Sequence, residues 1–290
     1  MCDLRSLRPH RLVSTANTYS SVNEVIKEPL ILALETATRA GSVALARGPD
    51  ILSSAEGNAA ESHSISLLET VENILQQVGV KLSDIDLFAA ASGPGSFTGL
   101  RIGLATTKAL AICTGRKCVS VSTLAAIAQA AGDSEHTIAL LPAGRGELFA
   151  QLYAVSSAGV QTLDSPAHLA PAAVTAKYSE LKRVILAGEG AHLYSEALGL
   201  STNDSEFRVS SESRLQAEGS PPFLPETQRA WTLAPRCDQL AASITALALN
   251  DYRGGNVLDP DELRAVYVRP SDAEINEKWQ QQKSPPAVQP

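Results

Sequence analysis

The sequence predicts an α/β protein whose sheet is mixed, and three observations carry that reading. The chain has 290 residues, 44% of them hydrophobic, with 16 Pro and 19 Gly, an ordinary globular balance that excludes collagen-like or low-complexity architecture. Short apolar runs of strand length alternate with helix-periodic segments. The first two runs are separated only by turn-type residues, which makes them an antiparallel hairpin.

The elements follow in order. LILALETA, from Leu30, reads as a buried strand and GSVALARG (Gly41–Gly48) as its hairpin partner, joined through Thr36–Ala40. Within Ser62–Val78, Leu67, Leu68, Val71, Ile74, Leu75 and Val78 recur at helical spacing, and Gly79 closes that helix. Ile85–Ala91 is a strand, followed by a glycine loop and a helix from Phe97 to Thr114. Val119–Val121 is a strand, Thr123–Ala131 a helix, and Thr137–Leu141, Glu147–Val155 and Arg183–Ala187 are strands, the last running into GEGA. Leu200–Thr232 is polar and Ser-rich, with Pro221, Pro222 and Pro225, and reads as an insertion. Pro235–Asp251 is a helix with Pro235 at its tolerated first position, and Trp279–Pro290 a frayed tail. No tandem repeat is visible.

Charge and cysteine usage narrow the function classes. Lys and Arg total 24 against 31 Asp and Glu, a net charge of −7, which argues against a surface that grips nucleic acid unaided. Cys2, Cys113, Cys118 and Cys237 are too scattered for a zinc site or a disulfide scaffold and suit a reducing, cytoplasmic location. No apolar run is long enough to span a bilayer, and the N-terminus lacks the apolar core of a secretory signal.

The most informative stretch is ASGPGSFTGLRIG (Ala91–Gly103), in which three glycines and a proline join a strand to a helix that Ser96 or Thr98 caps. It is neither a P-loop nor a dinucleotide fingerprint. Anion binding by its backbone N–H groups and close backbone packing are the two readings open to it. In the following helix Gly99, Gly103, Thr107 and Ala111 fall every four residues, a smooth face that lets a neighbour approach closely, whether inside the domain or across an interface.

ILALETATRAGSVAL followed by ASGPGSFTGLRIGLATTKALA resembles the TsaB (formerly YeaZ) family, a bacterial branch of the actin-like ATPase (ASKHA, Gcp-like) superfold. VSTLAAIA (Val121–Ala128), GRGELFAQLY (Gly144–Tyr153) and VYVRPSDAE (Val266–Glu274) resemble later family segments in the same order. The resemblance implies two α/β lobes with mixed sheets. Residues 1–28 are expected to be a disordered extension and 29–132 a first lobe with the partner-binding helices, to which the helix 235–251 should return. Residues 133–232 form a second lobe with a flexible insertion at 200–232, and 279–290 a tail.

The resemblance also implies a non-catalytic subunit. Such proteins pair with TsaD, which transfers a threonylcarbamoyl group to the adenosine beside the anticodon of ANN-reading tRNAs, and the ATPase TsaE joins them. The two helices correspond to those that bundle against TsaD or, in a homodimer, against a second copy. His63, Leu67, Leu68, Val71, Ile74, Leu75, Gly99, Gly103, Thr107 and Ala111 are therefore the expected interface, and Gly103→Arg is expected to block it. tRNA is met indirectly through the complex. No cofactor belongs to the chain itself; ATP or ADP would be met at the TsaD junction, around Gly93, Gly95 and Ser96.

Two enzymatic alternatives are a freestanding actin-like nucleotide phosphotransferase or ATPase, which rests on the fold and the glycine loop and predicts ATP hydrolysis that is lost on changing Glu35, and a glycopeptidase. Against the first, Ala37-Thr38-Arg39-Ala40 replaces the small glycine-rich phosphate turn. Against the second, Thr123 and Ile127 stand where TsaD carries two metal-binding histidines, and His10, His63, His136, His168 and His192 form no helical pair. Arg145 and Glu147 lie on a turn entering a strand, where an ion pair or turn role is the default.

Overall fold

The computed structural model describes residues 28–57, 63–200, 230–237 and 239–268. The extension before Glu28, most of the polar insertion and the tail lie outside the described residues. Strands β1 (Leu30–Glu35), β2 (Ser42–Arg47) and β3 (Asp50–Glu56) form an antiparallel meander. Helix α1 (His63–Val78) and a 3-10 turn (Leu82–Asp84) lead to β4 (Leu87–Gly93), α2 (Phe97–Thr114) and β5 (Lys117–Ser122). The first sheet runs β3-β2-β1-β4-β5, with β1, β4 and β5 parallel.

Helix α3 (Thr123–Ala131) then crosses to a second sheet. Its strands are β6 (Ser134–Gly144), β7 (Glu147–Ser156), β8 (Gly159–Thr162), β9 (Ala167–Leu169), β10 (Arg183–Ala187) and β11 (Ala230–Leu233), with α4 (Pro171–Lys177) before β10 and α5 (Glu189–Leu193) after it. The order β8-β7-β6-β10-β11, with an antiparallel meander and parallel β6, β10 and β11, repeats that of the first sheet. Two copies of one topology are thus present although the sequence shows no repeat. Helix α6 (Leu240–Arg253) follows, and a 3-10 turn at Pro260–Glu262 precedes the last described residues.

Each central strand is covered on both faces, which is why LILALE reads as one apolar run instead of alternating. Leu30, Leu32 and Leu34 face α1 and α2, where they meet Leu67, Val71, Ile74 and Leu104. Ile31 and Ala33 face α6, where they meet Ala241, Ile244 and Ala248. The second sheet is arranged alike, with Leu124, Ile127 and Ala128 of α3 on one face and Val174, Tyr178 and Leu198 on the other. Each lobe's last helix therefore packs on the sheet of the other lobe.

Helix α3 packs on the second sheet through Leu124, Ile127 and Ala128 and on the first through Ala126. Two sequence expectations need correction. Ala230–Thr232, read as part of the insertion, is strand: β11 pairs in parallel with β10, and Trp231 Nε1 donates to Leu181 O at 3.0 Å. The helix read from Pro235 begins at Leu240, because the chain continues along β10 after β11, with Ala234 N–H donating to Leu186 O at 2.9 Å.

Candidate functional site

The glycine loop and the β1–β2 turn are built against each other. Glu35, fully buried, accepts at Oε1 from Thr38 N–H (2.8 Å) and at Oε2 from the Thr38 hydroxyl (2.7 Å). The Ser42 hydroxyl lies 3.5 Å from Oε2 and in turn accepts from Ala241 N–H at 3.0 Å, tying α6 to the same turn. The Glu35 carboxylate thus braces its own turn.

Beside that turn, Ser96 N–H donates to Ala37 O at 2.8 Å, and Ser96 Oγ caps α2 by accepting from Gly99 N–H at 3.2 Å. The Thr36 hydroxyl donates to Gly99 O at 2.8 Å. A Cβ on Gly99 would overlap the Thr36 carbonyl oxygen, and one on Gly103 the Thr36 hydroxyl. Gly95 is equally confined, since a Cβ there would lie 2.6 Å from that of Ala37. Gly93, with φ of 121°, leaves room for the Val266 carbonyl, while Val266 N–H donates to Ser92 O at 2.7 Å. Of the two readings of the loop, close packing accounts for Gly93 and Gly95; Ser96, exposed, is the helix cap.

The expected interface residues divide by burial. Leu67, Val71, Ile74 and Leu75 lie in the core beneath α1, and Gly99, Gly103, Thr107 and Ala111 face the lobe's interior. In this structure the surface of these eight is largely covered by their own lobe. Leu68 is the exception at 55% exposed. His63 opens α1, and its side chain lies outside the described residues. The outward face was missed: Arg101, Ala105, Ala109 and Ile112 on α2 are exposed, Ile112 to 60%, beside Leu68, Glu69, Glu72 and Asn73 on α1. The signal was available in Ala105 and Ala109, a second small row four apart; glycine marked the face that needed the closer approach.

Elsewhere, Glu147 Oε2 and His168 Nε2 lie 2.9 Å apart, after a turn in which Gly144, Arg145 and Gly146 all have positive φ. Thr123 and Ile127 are buried, and among the described residues no group of three His, Cys, Asp or Glu side chains comes together as metal ligands. Burial pushes the Cys118 thiol up to about 11. Between the lobes lies a cleft of about 190 Å³, bordered by Thr38–Ala40, α3, Gly188–His192 and the segment after β11.

The family described as TsaD, tRNA N6-adenosine threonylcarbamoyltransferase, matches residues 57–250, about two thirds of the chain. The chain belongs to this family. Within it, the TsaB of Escherichia coli is 38% identical over 122 residues, 41% of this chain and 52% of that protein. The TsaB of Haemophilus influenzae is 35% identical over 123 residues, 41% of this chain and 51% of that one. The chain thus spans about half the length of the curated TsaB relatives it matches. YeaZ from Pseudomonas aeruginosa superposes with a TM-score of 0.62 at 26% identity, over 82% of this chain and 99% of that structure. The TsaB (YeaZ) resemblance and the actin-like, two-sheet architecture are borne out. Among the described residues of this TsaB-like chain, no helix is long and apolar enough to cross a membrane.

Proposed function

We propose that this chain is a TsaB-type accessory subunit without catalysis of its own. It binds TsaD, with TsaE, in the complex that places a threonylcarbamoyl group on the adenosine beside the anticodon of ANN-reading tRNAs. The relatives' names, tRNA threonylcarbamoyladenosine biosynthesis protein TsaB, support the process. The observation that carries the subunit role is the contrast between two surfaces. The acid of the phosphate turn is consumed by internal hydrogen bonds, whereas α1 and α2 lie side by side with Leu68, Ala105, Ala109 and Ile112 facing outward. Glu69 and Glu72 on α1 and Arg101 on α2 add a polar rim of both signs, which orients a docked helix pair. In this reading ATP or ADP is met at the TsaD junction and tRNA through the complex.

The test is size-exclusion chromatography with light scattering, mixing the full chain with TsaD from the same organism, TsaE and ATP. A one-to-one complex with TsaD is expected. Leu68→Arg and Ile112→Arg should abolish it while leaving the circular dichroism unchanged, because both side chains are exposed in the isolated chain. A wild-type pair that never associates, or tRNA modification by this chain alone, overturns the proposal.

A further inference from the structure

The interlobe cleft has a composition that neither the fold nor the partner surface calls for. Its floor is apolar, formed by Ile127, Ala130, Ala131 and Leu141. Its rim carries Arg39 from the β1–β2 turn and Arg236 from the segment that joins β11 to α6. Among the described residues neither guanidinium has a hydrogen-bond or ion-pair partner, and both are exposed. The rim's carboxylate, Glu189, pairs with neither, so among the described residues two guanidiniums and one carboxylate border the cleft in a chain whose net charge is −7. Two like charges held at one concavity repel each other until an anion joins them, and the low-dielectric floor strengthens the local field. A guanidinium presents paired N–H donors that match the oxygens of a carboxylate or a phosphate.

We propose that this cleft is a binding site for a small organic anion, an oxyanion on an apolar body, held between Arg39 and Arg236. The body lies on the alanines of α3 and the oxyanion at the rim. Size sets the class: at about 190 Å³ the cleft is below the roughly 300–1,000 Å³ usual for drug-sized ligands, which favours a carboxylate or phosphate monoester over a nucleoside triphosphate. The buried Glu35 argues the same way, since it is turned from the cleft into its own turn. Because the two arginines reach in from separate parts of the chain, a bound anion links the first lobe's turn to the strand–helix junction. The site is separate from the α1–α2 face and does not depend on the proposed partner.

Isothermal titration calorimetry on the full chain at low salt tests it with probes that share one body. Phenyl phosphate and benzoate carry the two oxyanions, benzyl alcohol is the neutral counterpart, and MgATP the size control. At least one of the two anions should saturate a single site, and benzyl alcohol should not. Arg39→Gln and Arg236→Gln should each weaken binding about tenfold or more. Ala131→Leu, which fills the floor and leaves the charges, should weaken it as well, distinguishing a site from diffuse attraction. Failure of both anions to saturate the wild type overturns the proposal. So does binding that survives both arginine substitutions, or MgATP binding at the same arginines as tightly as the small anions.

Discussion

Thr36 is the residue against which the first lobe closes. Its hydroxyl holds Gly99 O, and its carbonyl and hydroxyl stand where side chains at 99 and 103 would have to go. Gly99→Ala is therefore expected to cost about 3 kcal/mol, at the upper end of overpacking because the opposing atom is backbone, read as a fall in the urea midpoint. Gly103→Arg should unfold the lobe before it reports on any partner, visible as lost helical ellipticity in the isolated chain. Its interface reading joined four-residue spacing to the family resemblance, and spacing names a face without naming its neighbour. The pairing of Thr36 with Gly99, 63 positions apart, has no local signature in the sequence.

Among elements, those with signals at both ends were legible to the residue. Helix α2 begins after the Ser96 cap and stops at Gly115, which has φ of 66°; α3 begins after Ser122, whose hydroxyl accepts from Ala125 N–H, and stops at Gly132. Strand β3 was missed because DILSSAE is a polar edge strand with no buried face to impose alternation. Helices α4 and α5, of 7 and 5 residues, are too short for a periodic pattern. The second sheet's meander is secured instead by one side chain. Asp164 accepts from Leu152 N–H (2.7 Å), the Tyr178 hydroxyl (2.7 Å) and Lys177 Nζ (2.7 Å), joining β7 to α4. Asp164→Ala leaves the Leu152 amide and the buried Tyr178 hydroxyl without their acceptor and should lower stability by about 2 kcal/mol in chemical denaturation.

At the scale of the molecule, three buried acids set the response to alkali. Burial raises Cys118 from 9.0 to about 11 and Tyr153 from 10.0 to about 12; burial, then the hydrogen bond to Asp164, raises Tyr178 further. The unfolded chain releases these protons first, Cys118 near pH 9 and the tyrosines near pH 10. Their contribution is complete below those values and is lost as pH climbs toward the folded-state values, by about 1.4 kcal/mol per pH unit for each group. Urea midpoints should hold to about pH 9 and then fall steeply, and Tyr153→Phe should flatten the decline above about pH 10.

The helix exchange between lobes also governs the order in which a nascent chain can mature. The first sheet is complete once β5 has been made, yet the face formed by Ile31, Ala33 and Ala89 stays bare until α6 arrives more than a hundred residues later. The glycine loop waits longer still, for Val266 to reach Ser92. On the ribosome the amino-terminal half emerges as an unfinished surface that only the carboxyl-terminal residues can cover, so release of the chain, more than its elongation, completes the first lobe.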